Sequence, residues 1–453
     1  MKVLLALLPL CLASACSGDD GGMLPPTDTG EEKETRFGKP DGEDSDATAS
    51  GPCSSLWNLS LPTGGASTHP ALGKGGVVYV AASEALYAVS TDGKLMWAWP
   101  ADDTEGKVPP VEAQLYTPVI GKEGVLYMGT GLQKLLAINK NGSGRFTIDL
   151  DGDVTGAPAL PKGGKDQLIV AMTDSGALYT VKDLGQNKPW ILAGRSGEKA
   201  VKDPVPGIQP IIGPWTQDGA SETAFVLARS ALHCFRVTDL EPLWSYPMPE
   251  GLVATSNMVM DDEGHVLFGS GGTPVGGEYQ THYVLSVTAS GELVDGFPAT
   301  VDLLGKVTTI VTLSQGIKDR ILLGTTTAGL ILYDVGSMYL YKTVTGQDQN
   351  ITDVAQPIQS DDGHVYFGAF PSFVYALTEQ AEVLWYKDLD ELDPSIGAQL
   401  RPSSPLILSD GTVIFHAGYF LVAAHCTDSG PANVAWPRFG GNDQNTGNYS
   451  DPE

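Results

Sequence analysis

Positively charged side chains are scarce in this chain of 453 residues. Lys and Arg number 27 against 54 Asp and Glu, which gives a formal net charge of −27 at pH 7. Binding to nucleic acid requires basic side chains that displace counterions from the phosphates, and electrostatic binding to anionic lipid requires them as well. The composition therefore argues against both classes of protein.

Long apolar runs are missing beyond the N-terminus, where no run approaches the ~20 residues that a transmembrane helix needs. Cysteine is rare, with five residues, whereas glycine (55 residues) and proline (31 residues) are abundant. Because glycine and proline favour turns, this composition predicts a large core built from many short elements. The length alone suggests about three domains at roughly 150 residues per domain.

The first fifteen residues predict a secretory signal peptide. Lys2 precedes an apolar run over residues 3–12, and three small residues follow at 13–15. The segment resembles a bacterial lipoprotein signal, in which a cysteine after small residues becomes the lipidated N-terminus. The resemblance implies that Cys16 carries acyl chains such as palmitate. Residues 13–15 would also serve as an ordinary A-x-A cleavage site, so a soluble secreted protein is the alternative.

Residues 16–54 predict a disordered acidic tether. From residue 17 onward the segment holds ten acidic and three basic residues with one aromatic residue, so it cannot bury enough apolar surface to offset its ordering entropy. A tether suits a domain that a lipid anchor holds near a membrane. Ser17 stands where the inner-membrane retention signal of lipoproteins has Asp, which favours the outer membrane.

An apolar strand recurs eight times after a glycine-containing turn. The copies are residues 77–80, 125–128, 168–171, 225–228, 266–269, 321–324, 365–368 and 413–416. A strand usually marked by proline precedes each copy, and two more strands follow. Four short strands repeated at a period of about 48 residues are typical of a β-propeller.

The repeats predict an all-β fold: an eight-bladed β-propeller of four-stranded blades in residues 55–453. Residues 56–61 precede the first proline-marked strand and look like an outer strand, so we expect them to complete the last blade. A ring closed in this way has no open joint between its first and last blades. A propeller of seven blades would require that one repeat does not form a blade, and the third and fifth repeats are the most irregular.

The repeats also resemble those of pyrroloquinoline-quinone (PQQ)-type propellers. Residues 88–97 and 376–385 look like the PQQ-like repeat, and residues 436–447 are similar to a segment that flanks such propellers. The resemblance implies the architecture of a PQQ-like propeller. In export, anchoring and blade number, the chain is also similar to the propeller lipoprotein of the outer-membrane β-barrel assembly machinery.

Catalytic and metal-binding motifs are missing from the sequence. Quinoprotein dehydrogenases of the PQQ family use Ca²⁺, a catalytic Asp and often a disulfide between adjacent cysteines, but no adjacent cysteine pair exists here. Residues 149–153 resemble the start of a calcium loop, yet Val154 stands where that loop needs glycine. His265 and His364 occupy the same turn in two repeats, which indicates repeat geometry. The sequence therefore predicts no enzyme, no cofactor and no metal site.

Besides Cys16, three cysteines remain after the predicted processing. Cys234 occupies the repeat position of Ala88, which predicts a small buried residue. Cys53 precedes the closing strand, and Cys426 ends the third strand of the last blade. We expect these two to form a disulfide that holds the ring closed, as an oxidising compartment allows; two free thiols are the alternative.

Loop lengths indicate a binding face. In a blade, the loops between the second and third strands and the loops leading to the next blade share one side, which we call the upper face; the remaining loops form the lower face. Four insertions fall on the upper face and one sizeable insertion on the lower face. Repeat folds often carry such insertions on the binding surface, although drift of loop length is the alternative. The candidate contact residues are Glu105, Tyr116, Lys202, Tyr279, Asp393 and Arg401.

These features predict a non-catalytic, membrane-tethered propeller of the cell envelope that acts as a protein-interaction scaffold. The expected partner is an unknown envelope protein, and the chain would be a monomer or a subunit of a complex, without nucleic acid. A cell-surface propeller that binds a ligand or a matrix is the alternative, and a quinoprotein-like enzyme is the third hypothesis.

Overall fold

The computed structural model describes most of the repeat region. The described residues are 53–65, 68–100, 113–162, 164–185, 190–196, 200–213, 222–272, 282–301, 307–312, 320–325, 329–334, 339–344, 353–370, 373–378, 382–389, 403–432, 438–442 and 444–448. The predicted signal peptide, Cys16 and the tether up to residue 52 lie outside them. Within this part of the chain, no helix has the length and hydropathy of a membrane-spanning segment.

The described chain folds almost entirely into short strands, with a 3-10 turn at Lys122–Gly124. The first half contains β1 (Ser54–Ser60), β2 (Ala71–Gly73), β3 (Val77–Ala82), β4 (Ala85–Ser90), β5 (Leu95–Trp99), β6 (Val119–Ile120), β7 (Leu126–Gly129), β8 (Lys134–Ile138), β9 (Gly144–Asp149), β10 (Gln167–Met172), β11 (Leu178–Asp183), β12 (Ile191–Arg195), β13 (Ile211–Gly213), β14 (Thr223–Ala228), β15 (Ala231–Arg236) and β16 (Pro242–Pro247). The second half contains β17 (Leu252–Met260), β18 (Val266–Gly272), β19 (His282–Val287), β20 (Ala299–Thr300), β21 (Val307–Thr312), β22 (Arg320–Thr325), β23 (Gly329–Asp334), β24 (Tyr339–Val344), β25 (Asp353–Val354), β26 (Ile358–Gln359), β27 (Val365–Phe370), β28 (Phe373–Leu377), β29 (Val383–Asp388), β30 (Leu406–Ile407), β31 (Thr412–Ala417) and β32 (Phe420–His425).

The strands form antiparallel sheets in chain order, from the first sheet (β2–β5) to the last (β30–β32 with β1). Seven sheets have four or more strands, whereas the third repeat forms a sheet of only three, β10–β12. The prediction of eight four-stranded blades is therefore wrong: the propeller has seven complete blades, and its third repeat is an incomplete sheet between the second and fourth. The all-β propeller and the pairing within each complete blade agree with the sequence pattern.

Proline explains the incomplete sheet. The inner segment of the third repeat runs through Pro158 and Pro161, which have no backbone N–H to donate to a ladder. Only Ala159 pairs with β10, in an isolated bridge to Val170. The N–H of Leu160 donates instead to the carbonyl oxygen of Thr446, at 2.7 Å. Ile120 and Ile212 donate to the C-terminal segment in the same way and still belong to β6 and β13. Pro161, which stands where Gly121 and Gly213 stand in those repeats, therefore accounts for the lost strand.

The seventh sheet has one strand more than the usual four. Its inner segment is split into β25 and β26, which both pair with β27, so this sheet has five strands. Pro357 lies between the two short strands and cannot donate to the ladder. The inner position of a blade thus tolerates proline by shortening the strand.

The N-terminal strand closes the ring, as the sequence predicts. β1 pairs antiparallel with β32 from Ser54 opposite His425 to Ser60 opposite Phe420. Leu421 of the last sheet packs in one buried cluster with Val78 and Val80 of the first. Similar clusters of buried apolar side chains lie between successive sheets around the ring. Closure therefore buries the two sheet faces that an open row would leave exposed.

A disulfide links the two ends of this closing pair. Cys53 and Cys426 are bonded, with Cα atoms 4.0 Å apart. They stand directly before β1 and directly after β32, where the other blades have a peptide turn between their third and outer strands. The disulfide thus supplies the covalent connection that the last blade would otherwise lack.

We predict that the double substitution Cys53→Ala/Cys426→Ala destabilises the fold. The crosslink spans a sequence separation of 373 residues, and releasing so long a loop in the unfolded chain should lower the free energy of unfolding by about 3–5 kcal/mol. Urea denaturation of the oxidised protein, the reduced protein and the variant measures this, with Cys234→Ala as the control that removes a free thiol. Equal stability of oxidised protein and double variant would contradict the expectation.

The same irregularity recurs in the outer strands. In seven sheets the register between the third and outer strands shifts at one point. The outer-strand residue that pairs at this shift is aromatic in five of them. These five residues are Trp57, Trp97, Phe146, Trp244 and Trp385. The Trp residues of the sequence repeat therefore mark one structural position.

Three of these Trp rings dock on a glycine turn of the next sheet. The indole N–H of Trp97 donates to the carbonyl oxygen of Lys140 at 3.2 Å. Gly142, with φ +84°, follows in that turn, and a Cβ atom there would lie 3.0 Å from the ring. Trp57 and Trp244 make the equivalent bonds to the turns that contain Gly93 and Gly291. Packing between blades is therefore the role of these rings.

At the interface between the third and fourth sheets, glycine lies on the outer strand and the large side chain lies on the turn. Gly194 takes the position of the aromatic residue, opposite Thr180. Leu240 takes the position of the turn glycine, with φ +59°. An added Cβ atom at Gly194 would lie 3.5 Å from Cγ of the buried Leu240. The large side chain has moved from the strand to the turn.

We predict that Gly194→Trp and Leu240→Gly compensate each other. The first change alone overpacks the interface, and the second alone leaves a cavity, so each should destabilise the protein. Together they restore the arrangement of the other sheets, and the double-mutant cycle should show a favourable coupling of about 1–3 kcal/mol. Urea denaturation of all four proteins measures it; additive losses would show that the two positions are not structural equivalents of Trp97 and Gly142.

Candidate binding face

The upper face is described in part. Tyr116 lies on it, half-buried in the segment that leads into the second sheet, and Lys202 lies exposed in the segment that leads into the fourth. The other candidate contact residues fall outside the described part of the chain. They are Glu105, Tyr279, Asp393 and Arg401. The contact role of all six remains a prediction.

Apolar side chains project from two turns of this face. Leu132, between β7 and β8, is 49% exposed, and Tyr419, between β31 and β32, is also 49% exposed. The backbone N–H of Leu132 donates to Oγ1 of Thr130 at 3.2 Å, which holds the turn. Exposed apolar groups on a fixed turn suit a protein contact. Sequence reasoning missed both residues because single apolar residues in turns have no repeating pattern.

A polar network joins the second and third sheets on the same face. The carboxylate of Asp151 accepts hydrogen bonds from Arg195 at 3.0 Å and from the hydroxyl groups of Thr173 and Ser175 at 3.1 Å. Desolvation alone would raise the pKa of Asp151, but the hydrogen bonds from Arg195 and its neighbours lower it. Asp151 therefore stays ionised and fixes the two loops to each other.

The two further acidic residues of this region also bond to the protein. Oδ1 of Asp153 accepts from the backbone N–H of Gln133, and Oδ1 of Asp174 accepts from that of Asp153, both at 2.9 Å. Burial, followed by the charges of these two carboxylates, raises the pKa of Tyr116. Among the described residues no group of three or more His, Cys, Asp or Glu side chains could hold a metal ion.

The lower face is crossed by the C-terminal segment, residues 438–442 and 444–448. Its carbonyl oxygens accept hydrogen bonds from N–H groups of the inner strands that have no neighbouring strand on that side. Gln444 accepts from the N–H of Ile120 at 2.9 Å, and Gly447 accepts from that of Ile212 at 2.7 Å. Asn448 forms a parallel bridge with Ile212. With the bond between Leu160 and Thr446, the segment spans the inner strands of the second, third and fourth sheets.

Side chains fix this segment to the first two sheets. Arg438 is fully buried and donates to the carbonyl oxygen of Pro70 at 2.7 Å. The amide nitrogen of Asn445 lies 3.4 Å from the same oxygen and 3.2 Å from that of Pro118. The rings of Phe439 and His69 stack with centroids 3.8 Å apart. Sequence reasoning recognised the segment as a flank but not its position along the inner strands.

We predict that Asn445→Ala weakens the contacts between the first and second sheets. Removing the amide leaves buried carbonyl oxygens without that donor, which costs about 1–3 kcal/mol. Asn445→Gly separates this effect from the backbone, because residue 445 has φ +59°, a conformation that glycine adopts freely. Urea denaturation of both variants is the measurement, with the exposed Asn141→Ala as control. Unchanged stability in both Asn445 variants would contradict the assignment.

The remaining cysteine and histidines occupy structural positions. Cys234 is a buried free thiol opposite Trp244, and burial raises its pKa to about 12, so it is unreactive at neutral pH. His265 and His364 each pair with an aspartate of their own turn, Asp261 and Asp362. Both observations agree with the sequence interpretation.

Comparison with known proteins supports the fold. No protein-family model and no curated protein matches the chain. The crystal structure of BamB from Moraxella catarrhalis has 12% identity and a TM-score of 0.57, covering 82% of this chain and 99% of BamB. The Dos1 propeller has 10% identity and a TM-score of 0.62, covering 83% of this chain and 95% of Dos1. The chain is a β-propeller. At such identities the likeness shows the fold alone, and the PQQ-like repeat family is not confirmed.

Proposed function

We propose that this protein is a non-catalytic scaffold of the cell envelope. Acylated Cys16 holds it to the outer membrane, and its upper face binds a protein partner. The observation that carries the proposal is the difference between the two faces. The C-terminal segment lies along the inner strands at the lower face, whereas the described turns of the upper face project Leu132 and Tyr419.

The structural likeness to BamB supports the interaction role. BamB shares the propeller fold, and this chain covers 99% of its length. The shared fold is compatible with the scaffold role that the sequence predicts. No contact residue can be transferred from BamB at 12% identity. We therefore assign the contact residues from the upper face of this chain itself.

The described upper face has the composition of a protein contact. Leu132 precedes Gln133, whose backbone N–H bonds to Asp153 near the polar network in which Arg195 and Asp151 pair at 3.0 Å. Tyr419 projects from the last sheet of the same face. An apolar centre with a polar rim is the usual anatomy of such interfaces. A few buried apolar or aromatic side chains typically dominate the affinity, which makes Leu132 and Tyr419 the residues to substitute first.

We predict that Leu132→Asp and Tyr419→Ser reduce recovery of the partner in affinity purification from crosslinked cell envelopes. Loss of one central apolar contact should weaken binding about tenfold or more. Lys74→Ser is the matched control, because Lys74 is exposed in a turn of the lower face. Unchanged recovery with both upper-face variants, or loss with the control alone, would contradict the choice of face.

The anchor is tested in the same sample. Mass spectrometry of the mature N-terminus should find diacylglycerol-modified and N-acylated Cys16. A mature chain that begins with unmodified Cys16 or with Ser17 would contradict the lipid anchor. We place this scaffold on the periplasmic side of the outer membrane, so protease treatment of intact cells should leave the propeller uncut. Cleavage in intact cells would favour the surface-exposed, ligand-binding alternative.

A further inference from the structure

His416 is a buried titratable group at the joint between the last and first sheets. It lies near the upper end of β31, and its side chain is fully buried. Nδ1 accepts from the backbone N–H of Thr68 at 3.0 Å, and Nε2 donates to the carbonyl oxygen of Gly418 at 3.1 Å. The hydroxyl group of Thr68 in turn donates to the carbonyl oxygen of Ala81, on β3, at 2.6 Å. The neutral imidazole therefore connects the last sheet to the first.

Other repeats have glycine at the equivalent position. In the second and fifth sheets the residues that match His416 are Gly129 and Gly269. A Cβ atom at Gly129 would collide with the carbonyl oxygen of Val154, and one at Gly269 would lie 2.6 Å from Cβ of Val307. At those joints the next sheet packs directly against backbone. The closing joint is held by an imidazole instead, which places a titratable group where other joints have none.

Protonation of this ring would rearrange its bonds at a cost. A hydrogen on Nδ1 would donate to the carbonyl oxygen of Thr68, 2.9 Å away, and would leave the buried N–H of Thr68 without its acceptor. No charged side chain of the described residues bonds to the ring, so the buried charge would lack a counter-charge. The titratable or charged groups on the elements around the ring are His69, Glu84, Tyr419 and Arg438.

We propose that His416 makes this joint a pH-sensitive switch. In acid the protonated imidazole releases Thr68, and the joint between the last and first sheets opens at the upper face. The pairing of β1 with β32 and the disulfide hold the outer edge, so the opening is local and reversible. Because Tyr419 follows Gly418, the opening would also alter the proposed contact surface. That consequence alone rests on the proposed function.

The direction of the pH dependence follows from linkage. Burial lowers the pKa of His416, and the bonds to Thr68 and Gly418 offset this only in part. In the open joint an exposed histidine has a pKa of about 6.5. The open state therefore binds the proton better, and the closed joint loses stability as the pH falls below about 6.5. The opening equilibrium should rise by up to about tenfold per pH unit until the pH reaches the lowered pKa.

The test is hydrogen exchange of the full processed chain at pH 7.0 and pH 5.0, read by mass spectrometry and corrected for the intrinsic rate at each pH. The opening equilibrium of residues 68–73 should rise at least about tenfold at pH 5.0. Residues 307–312, whose joint contains Gly269, are the internal reference and should not change. His416→Gln and His416→Asn keep a hydrogen-bonding side chain that does not titrate, and either one should abolish the rise.

Two other histidines provide the controls. Nδ1 of His69 accepts from the backbone N–H of Ser404 at 3.0 Å, and His69→Asn keeps an acceptor there without titrating. Burial also lowers the pKa of His233, which lies in the fourth sheet, so His233→Gln removes a similar group far along the chain. Both variants should retain the rise.

Three outcomes would overturn the proposal. These are no rise in the unmodified protein, an equal rise in the variants of His416, and loss of the rise with His69→Asn. An equal rise in residues 307–312 would assign the effect to the whole fold and contradict a local switch. The exchange measurement uses no partner, so it stands or fails separately from the proposed contact through Tyr419.

Discussion

The pairing of β1 with β32 is the constraint on which the ring depends. Successive sheets bury their faces against each other, so an open row would expose apolar side chains at both ends. The N-terminal strand completes the last sheet, and the cluster containing Val78 and Leu421 then joins the last sheet to the first. Because β1 has no peptide turn to β32, the disulfide between Cys53 and Cys426 supplies the missing connection.

A second constraint acts at the inner strands and connects the fold to the proposed function. The inner strands are short, and proline interrupts two of them, so some backbone groups need partners from outside their own sheet. The C-terminal segment provides these partners through Gln444, Thr446 and Gly447. It thereby occupies the lower side of the inner strands, opposite the face that we propose for partner binding.

The sequence predicts the strands well because their pattern is local. Alternating apolar residues and glycine turns place the start of each second strand within two residues of its observed position, and the repeat position of Cys234 is correct. The failure at the third repeat comes from Pro161, which has no N–H to donate where Gly121 of the second repeat donates to the carbonyl oxygen of Val125. The exchange of Gly194 and Leu240 is not visible in the sequence pattern, since it involves two sheets. For the candidate binding face, the sequence predicts which loops form it but not that Leu132 and Tyr419 are exposed there.

The most direct test of ring closure is native-state hydrogen exchange of β1, residues 54–60, read by mass spectrometry beside β5, residues 95–99. With the disulfide intact, we predict that β1 opens with the same free energy as β5, because both are outer strands of closed sheets. After reduction, β1 should lose protection first and β5 should follow. Exchange of β1 at the rate of a surface loop in the oxidised protein would contradict the central claim that this strand closes the ring.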